Sequence, residues 1–270
     1  MSVDEGALAR YVYAVARPFD PAPLAGLTGV GGHPVEAVAH RGLLAVVSPV
    51  PLREFDEAAL KAKLEDLGWL ERVARAHHAV VDAVMPLAAA VPLRLATVYR
   101  GEERVRAALD EDRAVFERAL DRLSGRLEFG VKIYADPGSR GEPEPAPAAP
   151  AGAEPGESPG RAYLRRRREQ RRRRDDSWQV AAALVERVDA ALREWADAMA
   201  RHRPQDAALS KAPGENVLNA AYLVAEDDAE GFLRTAARLR DEAPEGTRVE
   251  VSGPWAPYSF AGLDRAGEPA

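Results

Sequence analysis

The chain contains no cysteine, which excludes disulfides, thiol nucleophiles and cysteine-ligated zinc together. Aromatic residues are scarce, at 6%, so aliphatic side chains and alanine must supply most of the packing. No uncharged run approaches the ~18 residues of a membrane span. The N-terminus, MSVDEGALARYVYAVARPFD, puts acidic residues ahead of a short apolar stretch, the reverse of a secretory signal. The expectation is a soluble, cytoplasmic chain that meets no membrane.

Catalytic motifs are also missing. No H-E-x-x-H, G-x-S-x-G or G-x-x-x-x-G-K-[ST] pattern occurs. The histidines are His33, His40, His77, His78 and His202. His77 and His78 are adjacent, so on a helix they point about 100° apart and cannot share a metal. They read as surface groups or as satisfied, partly buried side chains. Gly29-Val30-Gly31-Gly32 precedes a strand instead of a helix, so no helix N-terminus waits there for an anion, and it reads as a turn. No catalytic residue, metal ligand, cofactor site or small-molecule substrate is expected.

What is present is an ordinary globular inventory. The chain has 270 residues, 46% of them hydrophobic, enough for one large or two small domains. The clearest boundary is residues 136–160, DPGSRGEPEPAPAAPAGAEPGESPG, which has almost nothing to bury and is expected to be a disordered linker. It separates an N-terminal α+β module, 1–135, from a C-terminal α+β module, 161–270, that opens with a long basic helix.

In the first module, residues 10–16 alternate, with Tyr11, Tyr13 and Val15 on one face. Residues 35–39 and 43–48 flank His40-Arg41-Gly42 as a hairpin. Helical spacing predicts a helix from Asp56 to Met85, an extended segment over 91–99 and a second helix from Glu102 to Leu123. Leu127, Phe129, Val131 and Ile133 alternate with polar or small residues in the cleanest strand of the chain.

In the second module, a helix is predicted from Arg161 to Arg201, with Leu184, Val188, Leu192, Trp195 and Met199 on one stripe. A strand over 217–225, a helix over 227–240, a strand near 247–252 and the extended GPWAPYSF follow. GPWAPYSF reads either as a final edge strand sealing the C-terminal core or as an aromatic contact surface through Trp255 and Tyr258.

One block departs from the average. The net charge is −6, which argues against a generic nucleic-acid binder. Yet residues 161–174 hold nine arginines and one glutamate, about +8, leaving about −14 elsewhere. Arg165, Arg166, Arg167, Arg168, Arg171, Arg172, Arg173 and Arg174 are candidates for docking an acidic protein partner, since guanidinium forks match carboxylates. The other readings are binding of nucleic-acid phosphates, which the net charge disfavours, and pairing with the chain's own acidic remainder. Interleaved aromatics, the mark of single-strand binding, are missing inside the block.

In order, LEDLGWLERVARAHHAVVDAV, VPLRLATVY, EFGVKIYAD, RAYLRRRR, VLNAAYLV and GPWAPYSF resemble the gas vesicle GvpF/GvpL family over nearly the whole chain. Ala256 departs from the proline that the family usually carries there. The resemblance implies two α+β modules with ferredoxin-like features and long helices. It implies a non-enzymatic accessory or minor structural protein of gas vesicle assembly, associated with the vesicles in the cytoplasm. The implied partners are the hydrophobic shell protein GvpA and other gas vesicle accessory proteins. The alternative from the residues alone is a nucleic-acid-binding regulator using Arg165–Arg174.

Overall fold

The computed structural model describes residues 7–55, 57–63, 65–136, 159–204 and 214–262, and it is an α+β fold. The chain divides into two compact units, Met1–Glu128 with Pro254–Ala270, and Phe129–Gly253. The expected linker, apart from its ends, lies outside the described residues.

The first unit starts with β1 (Leu8–Ala16), β2 (Glu36–His40) and β3 (Leu43–Pro51). Helices α1 (Leu52–Phe55), α2 (Glu57–Lys63) and α3 (Leu67–Val84) lead to β4 (Ala90–Pro92) and β5 (Val98–Tyr99). Then come α4 (Glu102–Glu111) and α5 (Arg113–Leu123). The sheet order is β2-β3-β1-β4, antiparallel throughout, with β5 beside β1. This is the ferredoxin-like strand order with short 3₁₀ turns where the first crossover helix would stand. The predicted hairpin joins β2 to β3; Arg41 (φ 46°) and Gly42 (φ 82°) are both left-handed, as a tight hairpin turn requires.

Both predicted helices of this unit are broken in two. The Asp66 carboxylate accepts from Gly68 N–H at 2.9 Å and Trp69 N–H at 3.1 Å, so a new helix starts there. Leu67, just past this break, is accordingly 78% exposed. The second helix breaks at Asp112, whose φ of −104° and ψ of 15° leave the helical region.

Two tyrosines on β1 anchor polar chains in the core. Val30 N–H donates to Tyr13 Oη (2.8 Å), which donates to Ser48 Oγ (2.8 Å), which donates to the Pro34 carbonyl (2.7 Å). Every member is satisfied, so the chain fixes the Gly29–His33 turn without an orphaned group. Gly29 lies directly over it, and a Cβ there would fall inside contact distance of both Tyr13 Oη and Ser48 Oγ. Gly29→Ala is therefore expected to cost about 1–3 kcal/mol by overpacking. Urea denaturation checks this; an unchanged midpoint would refute the steric account.

The second unit uses β6 (Arg126–Ala135), α6 (Pro159–Arg193), β7 (Ala198–Arg201), β8 (Glu215–Ala225), α7 (Ala229–Asp241) and β9 (Thr247–Trp255). Its strand order, β7-β8-β6-β9, makes the full βαββαβ ferredoxin-like pattern. Phe129, Val131 and Ile133 are buried as predicted, and Phe129 stacks on Phe232 at 5.0 Å.

The predicted helix to Arg201 ends instead at Arg193, and Ala198–Arg201 pairs antiparallel with β8. Trp195 thus leaves the helical stripe and packs against Gly231, where any side chain would collide with its ring. Asp189, almost buried, accepts from Tyr222 Oη (2.9 Å), Arg193 Nε (3.1 Å) and Arg201 Nη2 (3.3 Å). Burial pushes the Asp189 carboxyl up, but its three donors outweigh that and hold it below the usual carboxylate value. The bond from Arg201 links the helix to the strand, which helps explain why a helix-like pattern here resolves into two elements.

The tail is the main correction. Of the two readings of GPWAPYSF, the one that seals the C-terminal core does not hold, because Pro254 onward belongs to the first unit. Ala256 is buried in that unit's core, with Tyr258 packed against the same cluster.

Candidate functional site

Helix α3 builds one wall of a cavity in the first unit. Val73, His77, Val80, Val81 and Val84 form its buried stripe. His78 and Asp82, one turn apart, share a neighbouring face and reach the cavity. The tail builds the other wall. Trp255 ends β9, Ala256 is buried, and Tyr258–Phe260 make a 3₁₀ turn. Glu128 pins that turn: its carboxylate oxygens accept from Ser259 N–H at 2.9 Å and from Ser259 Oγ at 2.7 Å. Arg122 Nη2 donates to the Phe260 carbonyl. The cavity holds about 320 Å³ between His78, Asp82, Glu128, Trp255, Ala256 and Tyr258.

Tyr258 stands edge-on to His78, with ring centroids 5.4 Å apart, and lies 6.1 Å from His77. Burial first, then the nearby Asp82 carboxylate, pushes the Tyr258 phenol up, so it stays neutral. Behind it, Ala96 N–H donates to Tyr11 Oη (3.0 Å), and Tyr11 Oη is hydrogen-bonded to His77 Nδ1 (3.0 Å). This bond serves Nδ1 of the buried His77, whereas its Nε2 has no hydrogen-bond partner.

Among the described residues no group of three or more His, Asp or Glu could hold a metal ion.

Of the predicted contact residues, Trp255 and Tyr258 meet in this cavity. The arginines lie on the first half of α6, in the other unit. Arg165, Arg167, Arg168, Arg171 and Arg172 are exposed, and Arg167 Nη1 donates to Tyr163 Oη at 3.3 Å. The side chains of Arg166, Arg173 and Arg174 lie outside the described set. Sequence reasoning missed His78, Asp82 and Glu128. The four-residue spacing of the first two was available as a signal. Glu128 gave none: it alternates as a solvent-facing strand residue, yet it is 8% exposed because Ser259 meets it. Among the described residues, no helix is long and apolar enough to cross a membrane.

Residues 9–262 match the family described as gas vesicle synthesis protein GvpL/GvpF. Gas vesicle protein L of Streptomyces sp. (strain CB03234) is 51% identical over 255 residues, covering 94% of this chain and 93% of that one. The fold resembles the crystal structure of the gas vesicle protein GvpF from Anabaena sp. PCC7120, at 18% identity and a TM-score of 0.65, covering 98% of this chain and all of that one. GvpF from Microcystis aeruginosa is similar at 18% identity and a TM-score of 0.66, covering 94% of this chain and 99% of that one. The chain belongs to the gas vesicle GvpL/GvpF family.

Proposed function

We propose that the protein acts without catalysis in gas vesicle assembly, binding the shell protein GvpA and other gas vesicle accessory proteins. On this reading it works in the cytoplasm, in association with the vesicles. The observation that carries the docking role is the split character of α6. Among its described side chains the buried ones begin at Ser177, whereas Arg165, Arg167, Arg168, Arg171 and Arg172 stand exposed ahead of them. Exposed charges add little to folding one by one, but a cluster steers association. Trp255 and Tyr258 are proposed as a second contact.

Changing Arg167, Arg168, Arg171 and Arg172 together to Glu tests this. Pull-down of gas vesicle proteins by the full chain is expected to fall at least about tenfold, since several charge pairs are lost. The melting temperature is expected to move little. Unfolding of the variant with unchanged capture per folded molecule would make the block structural. Steeply salt-dependent binding of DNA or RNA, lost in the variant, would favour the regulator reading instead.

A further inference from the structure

We propose that β9 is a pairing edge at which two copies of the chain join, antiparallel, into one continuous sheet. The interface involves neither the arginines of α6 nor the tail. β9 ends the strand order β7-β8-β6-β9, so β6 takes up one of its sides and the other is an edge. An edge strand carries N–H and C=O groups that another strand can pair with. Contacts with β6 decide which residues aim outward. Asp136 N–H donates to the Gly246 carbonyl, Arg248 lies over the Tyr134 ring, and Gly130 faces Ser252. These contacts keep one antiparallel register, in which Arg248, Glu250 and Ser252 turn their backbone groups toward β6. Thr247, Val249 and Val251 then turn theirs toward the edge, because the two directions alternate along an antiparallel strand. About 340 Å³ of open space lies beside Val249, Glu250, Val251 and Ser252, bounded by Arg240 of α7 and Lys132 of β6. Among the described residues, no backbone group from outside the sheet bonds to Val249 or Val251.

The occupant is a second copy because the strand is complementary to itself. Charged residues usually protect an edge from pairing. Here Arg248 and Glu250 carry opposite signs two residues apart on one face, with side chains 41% and 42% exposed. A two-fold axis at Val249 puts Arg248 of each copy opposite Glu250 of the other, and Thr247 opposite Val251. The outward groups of the two Val249 residues then meet. Both charge pairs fall at positions without backbone bonds between the copies, where facing side chains stand closest. Opposite charges facing each other stabilise a sheet, and like charges destabilise it. The other registers that match outward groups lose this gain. An axis at Arg248 or at Glu250 sets like charges against each other, and one at Val251 sets Arg248 against Pro254. Within its own strand Arg248 already bonds Glu250, so pairing gives each group a second partner of opposite sign. So short a contact makes a reversible dimer and not a permanent one.

Sedimentation velocity of the full chain between about 1 and 100 µM tests this, a span that covers weak and moderate dimers. The native chain is expected to move from monomer toward dimer as its concentration rises. Arg248→Glu and Glu250→Arg each set like charges in both facing pairs, and each is expected to weaken dimerisation at least about tenfold. An equimolar mixture of the two variants is expected to regain it, since every facing pair is then opposite in sign. Repair within one strand cannot give that result, because each chain keeps its own like-charged pair. Val251→Pro removes an outward N–H and leaves the bonds to β6, so it is expected to stay folded by circular dichroism and to remain monomeric. Should either charge variant fail to fold, Val251→Pro decides alone. A native chain that stays monomeric throughout, charge variants that dimerise as well as the native chain, a mixture that stays monomeric, or a dimeric Val251→Pro would overturn the proposal.

Discussion

Ending the chain at Gly253 is expected to unfold the first unit while the second keeps its fold. The tail lies far along the chain from the residues it serves. Ser259 reaches back to Glu128, and the Phe260 carbonyl reaches Arg122. Ala256 and Phe260 are buried, and Tyr258 packs against His77 and His78. Removing the segment exposes those neighbours and leaves Glu128 without its two Ser259 donors. Phe260→Ala isolates the packing part, at about 3–5 kcal/mol for a buried phenylalanine. That is a large share of the roughly 5–15 kcal/mol that holds a domain together. Hydrogen exchange read by mass spectrometry separates the units. Peptides from β1, β3 and α3 should lose protection in the truncated chain, whereas those from β8 and α7 should keep it. The opposite distribution would return the tail to the role read from sequence, sealing the C-terminal core.

That reversal shows where sequence reading reached its limit. Local patterns located most elements. The alternation of Phe129, Val131 and Ile133 predicted β6, and Arg41-Gly42 marked the hairpin. The order of the sequence blocks gave the family by resemblance, and the strand and helix patterns gave the α+β class. Junctions were lost where one side chain decides them. Asp66 divides a continuous apolar period by capping a new helix, and its Asp-x-Gly-Trp context held that information. Ala198–Arg201 looks like more helix, and pairing with β8 makes it a strand. The cavity was half legible: Trp255 and Tyr258 stood out as large aromatics in a chain poor in them. Asp82 and Glu128 join them only through contacts set by the fold.

Acid is expected to weaken the first unit through His77. The ring is 1% exposed, and burial is the main reason its pKa falls from 6.5 to about 4; the neighbouring His78 lowers it further. The Leu93 carbonyl opposes this, without closing a hydrogen bond of normal geometry to Nε2. The groups facing the ring are Tyr11, Tyr13, Tyr258 and His78, and none of them is an anion that would welcome the proton. Because the folded pKa is depressed, the unfolded chain binds the proton first. Stability is therefore complete above pH 6.5 and falls progressively as the pH drops toward about 4. A shift of that size corresponds to roughly 3 kcal/mol. Other groups titrate in the same window, so the measurement is a comparison. Urea unfolding between pH 7.5 and 4 is recorded for the native chain and for His77→Phe, in which a ring still fills the space. The native chain should lose more stability than the variant, with the difference opening below pH 6.5. Parallel curves across that range would mean that His77 carries its proton equally well in the folded and unfolded chains.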